Sequence, residues 1–304
     1  MQITVLVPTY LRLTDLPRCI DALQAQDRRP DEIIVVVRDT DTETHRYLTS
    51  LALGDWLRIA VVSEAGVIAA MNQGLSAATG DIVALTDDDA APHRDWLARI
   101  EAHFASDERI GGVGGRDFVY HGDRLQDGAS PLVGVLQWFG RTIGRHHIGV
   151  GPARDVDFLK GVNSAYRAEP LRRIGFDRRL LGPGAQVHWE LGLGLAITRL
   201  GYRLVYDPEI KVDHFPAVRH DADQRGLISE GEALYNTVYN ETIAIWEHSS
   251  GFRRLGFVFW TLAIGTKVSP GLACAIHAGL SRSPRSMSRF FVTVKARVRA
   301  MCSR

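Results

Sequence analysis

The chain has 304 residues, 45% apolar and 23% charged, with a formal net charge of +1. Such a length and composition give one large core, or a core with an appendage, and exclude a chain that buries nothing. The near-zero charge hides an asymmetry: residues 251–304 hold ten Lys and Arg and no Asp or Glu, leaving 26 basic against 35 acidic residues, a net −9, before them. The tail is therefore a separate electrostatic object. No nucleic-acid partner is expected. The three scattered cysteines, Cys19, Cys274 and Cys302, form neither a disulfide framework nor a metal-ligand spacing. With no secretory signal visible near Met1, a cytoplasmic catalytic part is expected.

In chain order, residues 3–7, 32–37, 57–62 and 81–86 are short runs rich in Val and Ile, and residues 16–26 and 68–79 between them have helical periodicity. The alternation predicts a βαβ sheet, and its continuous hydrophobicity predicts strands covered on both faces, with ligands beyond their carboxyl ends. Polar groups do follow each run: Pro8-Thr9-Tyr10, Arg38-Asp39, Ser63-Glu64-Ala65-Gly66 and Asp87-Asp88-Asp89. Residues 111–154, rich in Gly, His and Arg, predict loops and edge strands around a pocket. Beyond them come a Gly-Pro-Gly loop at 182–184, a helix over 188–200 closed by Gly201, and strands at 202–206 and 210–212. The body is expected to end near Arg225, giving a catalytic domain over 1–225 and a helical, basic region over 226–304.

Three adjacent carboxylates repel one another and raise each other's pKa values, which a divalent cation resolves. Oxygen ligands suit Mg²⁺ or Mn²⁺, and a site with few protein ligands leaves room for a diphosphate. Asp89 is the first choice of ligand; the alternative is a solvated acidic turn capping a helix from His93. His214, after the strand ending at Val212, is either a further metal or diphosphate contact or a structural histidine. Glu190, in the first turn of the helix after the glycine loop, is placed to deprotonate an acceptor hydroxyl, which gives inversion. Its alternative is a favourable charge at a helix N-terminus. Asp39 either meets a pyrimidine or ribose or belongs to the polar turn Arg38-Asp39-Thr40-Asp41.

Taken together, these residues resemble glycosyltransferase family 2 over residues 3–220. Val5-Leu6-Val7-Pro8-Thr9-Tyr10 is similar to the family's first strand and nucleotide loop, which brings Arg12 with it, and Asp39 takes the place of a base-binding aspartate. The segment from Gly66 to Gly74 resembles G-x-x-x-A-R-N-x-G, with Asn72 in place and Met71 where arginine is frequent. Asp87-Asp88-Asp89 matches the D-x-D metal motif. Gly161-Val162-Asn163-Ser164-Ala165-Tyr166-Arg167 and Gly175-Phe176-Asp177 resemble acceptor-side signatures, and Trp189-Glu190 stands where many members carry two acidic residues. The resemblance implies a GT-A fold, a mixed α/β sheet flanked by helices, and an inverting transferase whose donor is a UDP- or dTDP-sugar. It implies Glu190 as base, Asp89 and His214 on a Mn²⁺ or Mg²⁺ ion, and Asp87 and Asp88 beside the nucleotide. Asn163 and Trp189 then face the acceptor.

In the tail, the apolar runs 255–266 and 268–280, broken by Lys267 and Pro270, are too short to span a bilayer and suit a helical hairpin. Arg253, Arg254, Arg282, Arg285 and Arg289 flank them. Anionic lipid attracts such clusters at about 1 kcal/mol per residue. Peripheral attachment to the inner face of the cell membrane is therefore expected, suiting a lipid-linked or polysaccharide acceptor and leaving a soluble enzyme once 251–304 are removed. The alternative is a helical cap on the body or a homodimer contact. Two rivals to the whole reading are a nucleotidyltransferase, which needs a Gly-rich phosphate loop after the first strand, and a non-catalytic sugar-binding scaffold, which tolerates loss of Asp89 or Glu190. Neither the glycines nor such a loss is seen.

Overall fold

A computed structural model describes residues 1–51, 54–218, 231–266, 268–280 and 285–303. The strands are β1 (Ile3–Thr9), β2 (Glu32–Arg38), β3 (Leu57–Val62), β4 (Ile82–Leu85), β5 (Ala90–Pro92) and β6 (Ile110–His121). Then come β7 (Arg124–Leu125), β8 (Val135–Leu136), β9 (Thr142–Ile143), β10 (Arg154–Val156), β11 (Ser164–Arg167) and β12 (Arg203–His214). The helices are α1 (Leu16–Gln24), α2 (Thr42–Ser50), α3 (Val67–Ala77), α4 (Trp96–Ser106), α5 (Ala168–Ile174) and α6 (Trp189–Arg199). The C-terminal ones are α7 (Gly231–His248), α8 (Gly251–Phe259), α9 (Leu272–Leu280) and α10 (Arg285–Cys302), with a π-helical turn at Trp260–Ile264.

The main sheet runs β10-β12-β6-β11-β4-β1-β2-β3, with β5 added to β12 and β7 to β6. β4, β1, β2 and β3 are parallel, as the βαβ pattern predicts. Alternate residues enter two cores: Leu6, Ile34, Val36 and Val83 meet Ile68, Met71 and Leu75 of α3, while Val5, Ile33, Val35 and Ala84 meet α1 and α4. Each Val, Leu or Ile fully buried in these cores contributes about 1.5–3 kcal/mol.

Two expectations change on the other side of β4. The stretch from 111 on is not edge structure at its start: β6 is a twelve-residue interior strand between β11 and β12. Its glycines disguised it. A Cβ on Gly111 or Gly112 would strike Tyr202 or Tyr166, and one on Gly115 would lie 1.9 Å from the carbonyl oxygen of Ile210. The two short strands expected over 202–212 are one strand, β12, with an irregularity between Asp207 and Lys211. That irregularity turns the Ile210 carbonyl over Gly115.

The two apolar runs of the tail form α8 with the π-helical turn, and α9, which packs on that turn, and no helix among the described residues is long and apolar enough to cross a membrane. α7 and α10 are packed elements: Leu234, Val238, Tyr239 and Ile243 of α7 and Ala296 and Ala300 of α10 share one core with Trp189 and Leu193 of α6. The expected boundary at 225, Lys267 and Arg282 lie outside the described residues, as does the side chain of Arg285.

Candidate functional site

The carboxyl ends of β1, β2, β3 and β4 open into a cleft of about 770 Å³. Pro8, Thr9, Tyr10 and Arg12 line it from the loop after β1, Gly66 from the start of α3, and Asp87 and Asp88 from the end of β4. His214, Trp189 and Glu190 close it from β12 and α6. Asp41 sets the first loop, accepting the N–H of Leu11 at 2.6 Å and that of Thr44 at 3.2 Å as the N-cap of α2. Leu11 is thereby held at φ 53°, in the left-handed region.

Asp87, Asp89 and His214 bring one ligand atom each to within 4.8 Å of one another. The sheet makes this possible. β5, directly after the acidic run, pairs antiparallel with the end of β12 so that His214 faces Ala90, and the N–H of Phe215 donates to the Asp89 carbonyl at 2.8 Å. The acidic run therefore leads into a strand rather than capping a helix from His93, since α4 starts at Trp96. Two carboxylates and an imidazole are a donor set that fits Mn²⁺ or Mg²⁺. Asp88 turns the other way: it is buried and accepts from Arg12 Nη1 at 2.7 Å. Burial, with the repulsion of Asp89, pushes its carboxyl up to about 7 against the opposing pull of Arg12.

Behind His214 stands a residue that sequence reading missed. Asp117, fully buried on β6, accepts from His214 Nδ1 at 3.3 Å and pairs with Lys160, while His214 Nε2 lies 3.4 Å from Asp89 Oδ1. Despite burial, Lys160 and His214 hold the Asp117 carboxyl well below the usual range, and Asp117 and Asp89 raise His214 against the effect of its burial. The signal for Asp117 lay in a glycine-rich run, where strand alternation could not be seen.

From α6, Glu190 follows His188, the left-handed N-cap of that helix at φ 73°. Burial raises the Glu190 carboxyl, with Asp87 adding to the rise, while its own N–H, His188 and the N–H of Gly161 oppose it. Trp189 packs edge-on against Phe176 at 5.4 Å and lies over Gly161, where a Cβ would come within 2.4 Å of its ring. The loop before α6 is tied down on two sides. Gln186 accepts the N–H of Ile68 at 3.0 Å, and the N–H of Val67 donates to the Gly184 carbonyl at 2.8 Å, which fastens the loop to the start of α3. From α7, Asn240 accepts the N–H of Leu181 at 2.8 Å and donates to the carbonyls of Leu181 and Val187.

Four predicted residues are not among those lining the cleft; one, Asp89, is buried beside Asp87 and His214, which do line it. Asn163 is fully buried: its Oδ1 accepts from Trp96 Nε1 at 2.9 Å, and its Nδ2 donates to the carbonyls of Arg116 and Ile210. It clamps the irregularity in β12 rather than facing an acceptor. Asn72 is likewise spent, donating to the carbonyls of Ile68 and Phe176 and accepting the N–H of Phe176. Asp39 is exposed beside Arg38, outside the lining. Lys160 and His147 line the cleft without having been singled out.

The family model described as glycosyl transferase family 2 matches residues 4–175. The chain is 25% identical over 234 residues to the pre-mycofactocin glycosyltransferase of Mycobacterium tuberculosis, covering 69% of this chain and 46% of that protein. It thus spans about half the length of that curated relative. Among solved structures, GalNAc-T7 with UDP, GalNAc and Mn²⁺ aligns with a TM-score of 0.64 at 15% identity, covering 81% of this chain and 48% of that one. S. aureus TarS 1–349 in complex with UDP-GlcNAc aligns with a TM-score of 0.60 at 15% identity, covering 99% and 84%. These likenesses show the GT-A type of fold.

Proposed function

The chain belongs to glycosyl transferase family 2, and on that premise we propose that it moves a sugar, with inversion, from a UDP- or dTDP-sugar to a hydroxyl of a lipid-linked or polysaccharide acceptor. The observation that carries the reading is one cleft lined by Asp87, His214 and Glu190, with Asp89 buried against the first two. The UDP-GlcNAc in the TarS complex and the UDP and Mn²⁺ in the GalNAc-T7 structure support the donor class and the metal.

In this reading Pro8, Thr9, Tyr10, Arg12 and Gly66 form the nucleotide side, and Asp87, Asp89 and His214 would hold Mn²⁺ or Mg²⁺. When bound, the cation would neutralise charge on the departing diphosphate. Arg12 pairs with Asp88 at 2.7 Å and lies 3.7 Å from Asp89. Glu190 takes the proton of the acceptor hydroxyl, and its raised pKa brings it nearer the pH at which a general base works best. Trp189 walls the acceptor side. Thermal-shift measurements with UDP-, dTDP- and GDP-sugars test the reading: a rise in Tm that needs both a nucleotide sugar and Mn²⁺ is expected, and no response to any of them would reject it.

We further propose that residues 1–225 carry catalysis and 226–304 the attachment to an anionic membrane on its cytoplasmic face. Phe252, Leu255, Phe259 and Leu262 form a helical stripe that stays exposed, and Trp138 stacks on Phe252 at its edge. The tail's charge, ten basic residues and no acidic one, suits anionic lipid. Removing 251–304 is the wrong test, because it would strip Ala296 and Ala300 of α10 from the shared core. Changing Phe252, Leu255 and Phe259 together to serine leaves that core intact. Full-length protein should sediment with phosphatidylglycerol vesicles and the triple variant should not; equal sedimentation, or a change only in dimerisation, would overturn the membrane assignment.

A further inference from the structure

Two residues outside the family motifs, Asp117 and Lys160, extend a chain of charged groups behind the motif residues: Lys160 Nζ to Asp117, Asp117 Oδ2 to His214 Nδ1, and His214 Nε2 to Asp89 Oδ1, with Lys160 one-third exposed and the other three buried. Lys160 comes from the segment before β11, Asp117 from β6, His214 from β12 and Asp89 from the turn after β4. An ion pair at this depth loses much hydration and is weak evidence for stability, so its placement calls for another account. The imidazole supplies one. A histidine that offers one nitrogen to a metal commonly gives its other N–H to a carboxylate, which fixes both the tautomer and the plane of the ring.

We propose that Asp117 is a positioning residue for the metal site, and that Lys160 holds Asp117 in turn. The inference rests on the metal reading of Asp87, Asp89 and His214. An Asp117 carboxylate accepts Nδ1–H and leaves the Nε2 lone pair directed at the space those residues share. Register supports the arrangement: in the β6–β12 pair Val212 lies opposite Asp117 and His214 opposite Val119, so Asp117 and His214 are diagonal neighbours on one face. Diagonal residues of adjacent strands lie within reach of longer side chains. Lys160 carries a second link, because the next residue, Gly161, donates its N–H to Glu190. A single peptide bond thereby joins the partner of Asp117 to the partner of Glu190.

The test is the affinity for Mn²⁺ alone, followed by electron paramagnetic resonance of the full chain without substrate. Asp117→Asn should weaken Mn²⁺ binding about 10- to 100-fold, as loss of an outer partner of a histidine ligand does, while UDP affinity without metal stays the same. Lys160→Gln, whose side chain is one-third exposed, is the variant to use should Asp117→Asn fail to fold, and should weaken Mn²⁺ binding severalfold. In ¹⁵N spectra His214 should carry its proton on Nδ1 in the zinc-loaded protein and lose that preference in Asp117→Asn. If the unaltered chain binds no Mn²⁺ and His214→Ala changes nothing, the metal reading itself falls. If the unaltered chain binds Mn²⁺, His214→Ala abolishes binding, and the folded Asp117 or Lys160 variant binds as the unaltered chain does, the positioning role alone is overturned.

Discussion

His214 reaches Asp89 through paired strands, with β5 against β12 and β6 beside it, whereas Glu190 follows a loop in which Gln186 and His188 both adopt left-handed backbone. The strand-borne end is set by register, and a register cannot shift by a residue without turning every side chain to the opposite face. The loop-borne end is set by side-chain clamps: Gln186 on the start of α3 and Asn240 on the loop from α7. Left-handed backbone at non-glycine residues costs roughly 1–3 kcal/mol each, so the clamps must offset it. The metal end should therefore tolerate changes in the loop, and the base end should be sensitive to residues that never touch a substrate.

Four changes break or sharpen this contrast. The largest effect belongs to Glu190→Gln, which should lower kcat by about 10²- to 10⁴-fold while Mn²⁺ and UDP affinities, followed by calorimetry, stay unchanged. Near-normal turnover would reject Glu190 as base. Chelation of the metal, or Asp89→Ala, should cost about a hundredfold in rate, the scale of several kcal/mol of lost charge stabilisation. Added Mn²⁺ should restore the chelated protein and not the variant. Gly66→Ala puts a Cβ 2.3 Å from Gln186 Oε1 at a backbone φ of 108°. It should cost about 1–3 kcal/mol in urea unfolding and lower kcat about tenfold by displacing the loop before Glu190, with Mn²⁺ affinity untouched. Asp39→Asn should change nucleotide affinity by no more than about twofold, as surface substitutions do; a tenfold loss would bring that exposed carboxylate back to the base.

The pH profile separates the two ends in another way. As the proposed base Glu190 would act when deprotonated, and burial raises its carboxyl, so kcat should fall as pH drops through a value above the ordinary carboxylate range. The acid limb should vanish with Glu190→Gln. A limb unchanged in that variant would assign the titration to another group.

β3, at the sheet's edge, is buried only at Leu57 and Ala60, so its expected cover on both faces fails. The parallel half of the sheet was otherwise legible because β1, β2 and β4 write their burial as continuous apolar runs, and Thr9, Gly66 and Asp87 follow where the cleft opens. The other half was not. In β6 the pattern is erased by Gly111, Gly112, Gly114 and Gly115, whose missing side chains are replaced by neighbours remote in sequence. For the same reason Asn72 and Asn163 looked like site residues: a motif shows that an amide is present and not whether its hydrogen bonds end on a ligand or on backbone.

Sequence alone determined the residue types that make the chemistry conceivable: three adjacent carboxylates, a histidine after a strand, a glutamate at a helix start and a basic tail. It did so because charge, strand runs and turn residues are local properties of the chain. Tertiary structure decided which of those carboxylates face one another. Asp87 and Asp89 turn toward His214 while Asp88, between them, turns to Arg12, because strand pairing 125 residues downstream sets where the histidine arrives. Asp117 and Lys160 join the site only through that same pairing, since side-chain proximity across a sheet is fixed by register and not by distance along the chain.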